Sequence, residues 1–332
     1  MTVAEPSTAA VPAAAPMRRP SGVGIAAGLI AALLLVLAPF ALDPASLGTL
    51  GRIIYFALLA ASLDLLVGIT GLPSLAHAGF FAVGAYTAGL VAKDVSALAI
   101  VVLPAAVLVA GFAAAVTGWL AVRSRGIFFL MLTLAIGEII FLLAESAREV
   151  TGGSNGMFGI PLLEVVPGSD ALSQPALKYW FVLAIFWIGF GVLWAASRSP
   201  FGLALRGIHA NEERMQALGY SPRLYKFGAF CLAGAVAGLA GALLAAHQQG
   251  VTPADAAFGT AVVALVSVII GGAGTLWGPC LGAAVVVVVR DEIGPSLGGH
   301  GPLLLGLVFI AAVYLLPGGI AGALARVRRS RT

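Results

Sequence analysis

Ten apolar runs, most of them close to 20 residues long, leave this chain few folds to adopt. They fall at about 22–42, 51–69, 76–92, 97–122, 127–146, 177–196, 227–249, 258–272, 279–293 and 302–322. One helix needs roughly 20 mostly apolar residues to cross the hydrocarbon core of a bilayer. Three of the runs (76–92, 258–272 and 279–293) are short or interrupted by Gly, so eight to ten spans are expected. The runs are continuously apolar and do not alternate, which excludes a transmembrane barrel. Charged residues make up only 10% of the 332 positions, too few to solvate the surface of a soluble fold of this length. The expected fold is an all-α polytopic membrane protein.

The positive charges orient it. With the N-terminus inside, 13 of the 18 Lys and Arg fall in inside segments: Arg18, Arg19, Arg123, Arg125, Arg198, Arg206, Arg214, Arg223, Lys226, Arg326, Arg328, Arg329 and Arg331. Arg52, Lys93, Arg148, Lys178 and Arg290 fall outside. Lys/Arg enrichment marks cytoplasmic loops, so both termini are expected in the cytoplasm, and a plasma membrane location follows (the inner membrane in a Gram-negative cell). The net charge of +4 then reflects topology and anionic lipid; no aromatic-basic pattern points to nucleic acid. Residues 1–20 are rich in Ala, Pro and Thr and read as a disordered cytoplasmic segment. Residues 21–325 form the membrane domain and 326–332 a basic tail. The first run exceeds a signal-peptide core, so it reads as a retained span. Cys231 and Cys280 read as two small buried hydrophobes.

One long polar segment interrupts the apolar pattern, Ser199 to Lys226. It reads as a single amphipathic helix, then Gly219, then a Ser-Pro turn. Leu203, Ile208, Met215 and Leu218 form its apolar side and Arg206, Asn211, Glu212 and Arg214 its polar side. Such a segment has reason to exist in a membrane chain if it projects into water and meets a soluble partner there, an ATP-hydrolysing subunit being the first choice.

Two Gly-rich breaks divide the apolar runs near 70–78 and 271–279. They share a G-x-[PG]-[ST]-L core, Gly71 to Leu75 and Gly272 to Leu276. Corresponding interruptions of this kind can mark an internal repeat with a substrate route between its halves; ordinary tight turns are the alternative. Broken helices are tolerated in lipid only against protein or a wet cavity, which makes Ser74, Leu75, His77 and Gly79 candidates for lining a path. For His77 a closed packing role is the stronger reading. Asp64, Glu138 and Glu145 fall within spans. Ionisable groups there usually face a bundle interior or a pathway. Glu145 lies near a helix end and can reach headgroups; Asp64 and Glu138 are deeper. They could serve a proton relay in a stand-alone secondary transporter or channel, or each could make one interhelical hydrogen bond. Neither has an evident basic partner, so uptake is expected to need no proton gradient, and Asp64→Asn to retain much of it.

The loop 147–176 opens with TGGSNGMFGIP. Thr151, Gly153, Ser154 and Asn155 are turn formers, and the loop is expected to cap the external mouth or meet an external protein. No phosphate-binding loop, metal-ligand spacing or nucleophile motif is present. The chain is not expected to be an enzyme, and any ATP and Mg belong to a separate subunit.

Four stretches in order complete the reading: GITGLPSLAHAGFFAVGAYTAG, RSRGIFFLMLTLAIGEII, TGGSNGMFGIP, and the 199–226 segment followed by GGAGTLWGP. Together they resemble LivM-type permeases over about residues 50–325. These are membrane subunits of high-affinity branched-chain amino acid ABC importers, in a superfamily that also holds urea/amide and ribose-type permeases. The resemblance implies a second permease subunit (usually a different chain), two cytoplasmic ATPases and an external binding protein. It also implies an ATPase-coupling loop at Gly202, Leu205, Arg206, Asn211, Glu213, Ala217, Leu218 and Gly219. The importer pattern E-A-A, then three residues, then Gly, is matched here by Glu213 and Gly219, six positions apart; Arg214 and Met215 replace its alanines.

Overall fold

The computed structural model describes residues 22–168, 171–294, 301–316 and 318–323. The segment 1–20 and the tail 326–332 lie outside them. Each of the ten apolar runs is helical: α1 Gly22–Ala41, α2 Pro44–Asp64, α3 His77–Asp94, α4 Ala99–Ala121, α5 Ile127–Ser146, α7 Pro175–Arg198, α10 Pro222–Gln248, α11 Phe258–Gly271, α12 Trp277–Val287 and α13 Gly301–Leu315. Among the described residues, α2 with its extension to Thr70, α4, α5, α7, α10 and the stretch Leu303–Ala323 are long and apolar enough to cross a membrane singly. The runs at 76–92, 258–272 and 279–293 give the shorter or less apolar helices α3, α11 and α12. Proline opens α2, α7 and α10, where its fixed φ fits a first helical turn and no N–H is missed.

Burial sorts these helices into a core and a shell. In α2 and α10, 83% of the central window is buried, against 28% in α4 and α5 and 33% in α7. The helix α10 runs against α3, α4 and α2. Its crossing with α3 brings backbones into contact: a Cβ added at Gly241 would fall on the Phe81 carbonyl oxygen, and one at Gly84 on that of Gly238. Without a hydrophobic force between helices in lipid, such small-residue contacts hold a bundle together. The shell turns large apolar side chains outward, Phe112, Trp119, Phe128 and Leu143 among them.

The connections collect at two ends. At one end, Arg52 pairs with Asp291 at 3.6 Å and Glu292 at 3.4 Å, and Lys93 donates to the Phe158 carbonyl at 2.6 Å. There the 147–168 loop is built from a one-turn helix α6 (Arg148–Thr151), a 3-10 turn and a two-residue strand. That strand, β1 (Met157–Phe158), pairs antiparallel with β2 (Gly250–Val251). Beside β2, burial holds the Asp255 carboxyl above its ordinary range, against the N–H and hydroxyl of Thr252 that donate to it. The opposite end holds the two breaks, the α4–α5 turn and the polar 199–221 segment.

Cys231 and Cys280 are free, as expected, but half-buried. The 199–218 segment is two helices, α8 Pro200–Ala210 and α9 Glu212–Ala217, because Asn211 leaves helical geometry (φ −161°, ψ 103°) and accepts from the Arg214 N–H at 2.8 Å. Asn is a preferred N-cap because its side-chain oxygen satisfies an orphan N–H, so it starts a new helix where one continuous helix was expected.

Candidate coupling and translocation site

The helix α2 passes without a break into a π-helical turn, Leu65–Thr70, which Gly71 ends at φ 75°. Residues 71–76 then cross to α3. Leu75 donates its N–H to Thr133 Oγ1 of α5 at 3.2 Å. Ser74 Oγ accepts from the Ala76 N–H at 3.4 Å and lies 3.2 Å from His77 Nδ1. The second break has the same local grammar. Gly272 ends α11 at φ 103°, and Thr275 Oγ1 accepts from the Gly278 N–H at 3.1 Å in the first turn of α12.

Asp64 ties the end of α2 to the second break. It is fully buried. Its Oδ1 accepts from the Gly274 N–H at 2.7 Å and its Oδ2 from the Leu276 N–H at 2.9 Å. An anion among apolar helices is tolerable only when its oxygens are satisfied, and here two backbone donors freed by the break supply that. Glu138 differs: it is half-buried on α5 and, among the described residues, makes no hydrogen bond or ion pair. Glu145 is exposed at the end of α5, as its position suggested.

Ser74, Leu75, His77 and Gly79 are all buried. The His77 ring packs edge-on to Phe80 and Phe230 at 5.9 and 6.3 Å, and its Nε2 has no partner among the described residues. Gly79 faces Ile140 of α5.

The hairpin α8–α9 lies against the breaks. A cleft of about 330 Å³ is lined by Gly68, Ile69 and Gly274 from below and by Arg206, His209 and Ala210 of α8. The His209 ring sits on Gly71, leaving no room there for a Cβ. Gly202, Leu205 and Ile208 of α8 are buried, so the first two face the bundle rather than a partner. Leu203 and Leu218, expected on the apolar side, are exposed. Arg206, Asn211, Glu213, Ala217 and Gly219 are also exposed. After α9, the Gly219 N–H donates to the Gln216 carbonyl and that of Tyr220 to Met215, with Gly219 at φ 88°. This is the left-handed helix stop that Gly favours. A second cleft of about 460 Å³ follows, lined by Leu218, Gly219, Tyr220, Ser221, Leu224 and Tyr225.

Glu212 was expected on the solvated side. It bonds Lys226 of α10 at 2.8 Å and lies 3.5 Å from Arg125 of the α4–α5 turn, tying the hairpin to two other elements. Among the described residues, its neighbour Glu213 makes no such pair. At the far end, Thr151 Oγ1 donates to the Ala144 and Ala147 carbonyls at 2.5 and 2.8 Å and accepts from the Gly153 N–H at 3.2 Å. Thr151 and Gly153 are thus buried closure of α5, while Ser154 and Asn155 are exposed. Among the described residues, no group of three or more His, Cys, Asp or Glu could hold a metal ion.

An all-α bundle with several helices long and apolar enough to cross a membrane is a multi-pass membrane protein. The chain belongs to the family of permease components of the branched-chain amino acid transport system, whose model matches residues 46–316. It is 30% identical to the high-affinity branched-chain amino acid transport system permease protein LivM of Escherichia coli (strain K12), with 88% of this chain and 74% of that one covered. The LivM protein of Salmonella typhimurium gives the same identity and coverage. A probable branched-chain amino acid transport permease protein, LivH, of Methanocaldococcus jannaschii is 27% identical, covering 82% and 91%. No solved structure matches. The chain is a permease subunit of an ATP-binding-cassette importer.

Proposed function

We propose that this permease carries branched-chain amino acids, or a similar small amino acid or amide, received from an external binding protein. It pairs with a second, homologous permease of different sequence. ATP hydrolysis occurs in two separate cytoplasmic subunits, which hold the ATP and Mg. Residues 21–325 form the permease domain, both termini are cytoplasmic, and the membrane is the plasma membrane. The carrying observation is the hairpin α8–α9: it rests on both helix breaks while Arg206, His209, Glu213 and Arg214 stay exposed for a soluble partner. Ala217, Leu218 and Gly219 belong to the same docking face, and Ser154 and Asn155 to the face met by the binding protein. A secondary transporter would need titratable groups that alternate in exposure. Both Asp64 oxygens are instead occupied by backbone donors.

Vesicles containing the permease pair, the ATPases and the binding protein test this. Branched-chain amino acids are expected to accumulate with ATP and without a pH gradient. Accumulation driven by a pH gradient alone, with no ATPase present, would replace the proposal. Topology is tested separately with Asn211→Cys, which should resist an impermeant thiol reagent added to intact cells. Labelling from outside would reverse the orientation.

A further inference from the structure

Asp64 is set apart by what it touches. Its two acceptor bonds reach across 210 and 212 positions of sequence, and both go to the break between α11 and α12. They come from the last residue of α2, immediately before the turn that leads to the other break. Gly68, one turn on, is packed so tightly that a Cβ would fall on the Gly274 nitrogen and the Asp64 Oδ1. The second break needs such a hold. Gly272, Gly274 and Leu276 all lie at positive φ, at 103°, 85° and 59°, and Leu at such an angle is costly unless its surroundings over-determine it. Directly above lies α8, with Arg206 and His209 lining the cleft whose floor is Gly68 and Gly274, and with the His209 ring on Gly71. Arg206 makes no ion pair among the described residues. One buried carboxylate therefore fastens the second break to the end of α2, where the π-helical turn leading to the first break begins, and α8 sits over both.

We infer that Asp64 is a positioning residue for transport: it holds the two helix breaks as one unit beneath α8, so that displacement of α8 moves both. This rests on the reading of α8–α9 as the ATPase-facing hairpin. It reverses the expectation that Asp64→Asn retains much of the uptake. Asn keeps the shape but presents an amide NH₂ where one of the two backbone N–H groups needs an acceptor.

The test uses the complete complex in vesicles, with wild type beside Asp64→Asn. The variant should retain its ATPase subunits and hydrolyse ATP, while uptake per ATP falls roughly tenfold or more, since one bond to a charged group carries about a factor of ten. Amide hydrogen exchange at Gly274 and Leu276 should rise by a similar factor, a change that a general packing defect would not confine to these two sites. Wild-type uptake per ATP, or unchanged exchange at both amides, overturns the inference. Should Asp64→Asn fail to fold, the wild-type chain decides. Its Gly274 and Leu276 amides should exchange at least about tenfold more slowly than that of exposed Ala273, which has no acceptor among the described residues, and equal rates overturn the inference. The exchange arm needs neither ATPase nor substrate. A complex that couples no ATP hydrolysis to uptake even in wild type would therefore sink the proposed function, while the exchange arm still decides whether Asp64 holds the second break.

Discussion

The two helix breaks share a sequence core but are held in different ways. The first, after Gly71, has a single left-handed residue, and Pro73 presets its own φ. Its free polar groups are met locally by Ser74 and by Thr133 of the neighbouring α5. The second has three positive-φ residues, one of them Leu276. Thr275 secures the start of α12, but the N–H groups of Gly274 and Leu276 point back to Asp64. A break with a rigid Pro is held by hydroxyls, its own and that of the neighbouring α5. One built from glycines borrows its anchor from the end of α2.

That contrast is attacked hardest at Gly68. An added methyl meets backbone and a bonded carboxylate, neither of which can swing aside as a side-chain tip can. Overpacking of this kind costs typically about 1–3 kcal/mol, with more where the backbone is the obstacle. Gly68→Ala should therefore lower thermal stability in detergent by the upper part of that range and abolish uptake. Retained stability with normal uptake would mean that the second break does not depend on its contact with α2.

Thr133→Val probes the first break. The methyl replaces a hydroxyl that accepts from Leu75 at 3.2 Å and donates to the Leu130 carbonyl at 3.0 Å. A buried N–H is left without a partner, at a cost of about 1–3 kcal/mol. Thermal denaturation should show the loss, and exchange should quicken at Leu75 but not at Gly274. Equal quickening at both amides would mean that the breaks are not separately held. Thr275→Val should do less, about 1 kcal/mol, because its hydroxyl acts as a helix-start cap while Asp64 still holds the segment. A larger loss than for Thr133→Val would invert the ranking of the two anchors.

Much of the architecture was legible in the sequence because lipid permits so few backbone solutions. The runs at 127–146 and 258–272 became α5 and α11 almost residue for residue, and both breaks fell where Gly and Pro cluster. The partners of Asp64 were not legible. They are backbone N–H groups, which every residue but Pro carries, so no side chain more than 200 positions away advertises them. The same limit hid the β1–β2 pairing, a two-residue ladder made by main chain alone. The choice between Glu212 and Glu213 turned on one residue of helical phase. Asn211 reset that phase by starting a new helix, sending Glu212 toward Lys226 and leaving its neighbour outward.

The smallest expected effect sharpens the comparison most, at Gly79 in the first turn of α3. A methyl there would stand 2.8 Å from Cδ1 and 3.3 Å from Cβ of Ile140. The nearer atom is the end of a flexible side chain on α5, so a rotamer change or a shift of a few tenths of an ångström relieves the contact. Against that strain stands the gain of Ala over Gly within a helix, up to about 1 kcal/mol. The two terms oppose each other at similar size, so Gly79→Ala should change stability by less than about 1 kcal/mol and leave uptake close to wild type. The same chemical change at Gly68 should be severe, because there the methyl meets the Asp64 carboxylate and an amide of the second break. Measuring the pair side by side in one membrane preparation removes differences of insertion and lipid. If Gly79→Ala proves as damaging as Gly68→Ala, close packing alone sets the tolerance of both sites, and the dependence of the second break on Asp64 loses its support.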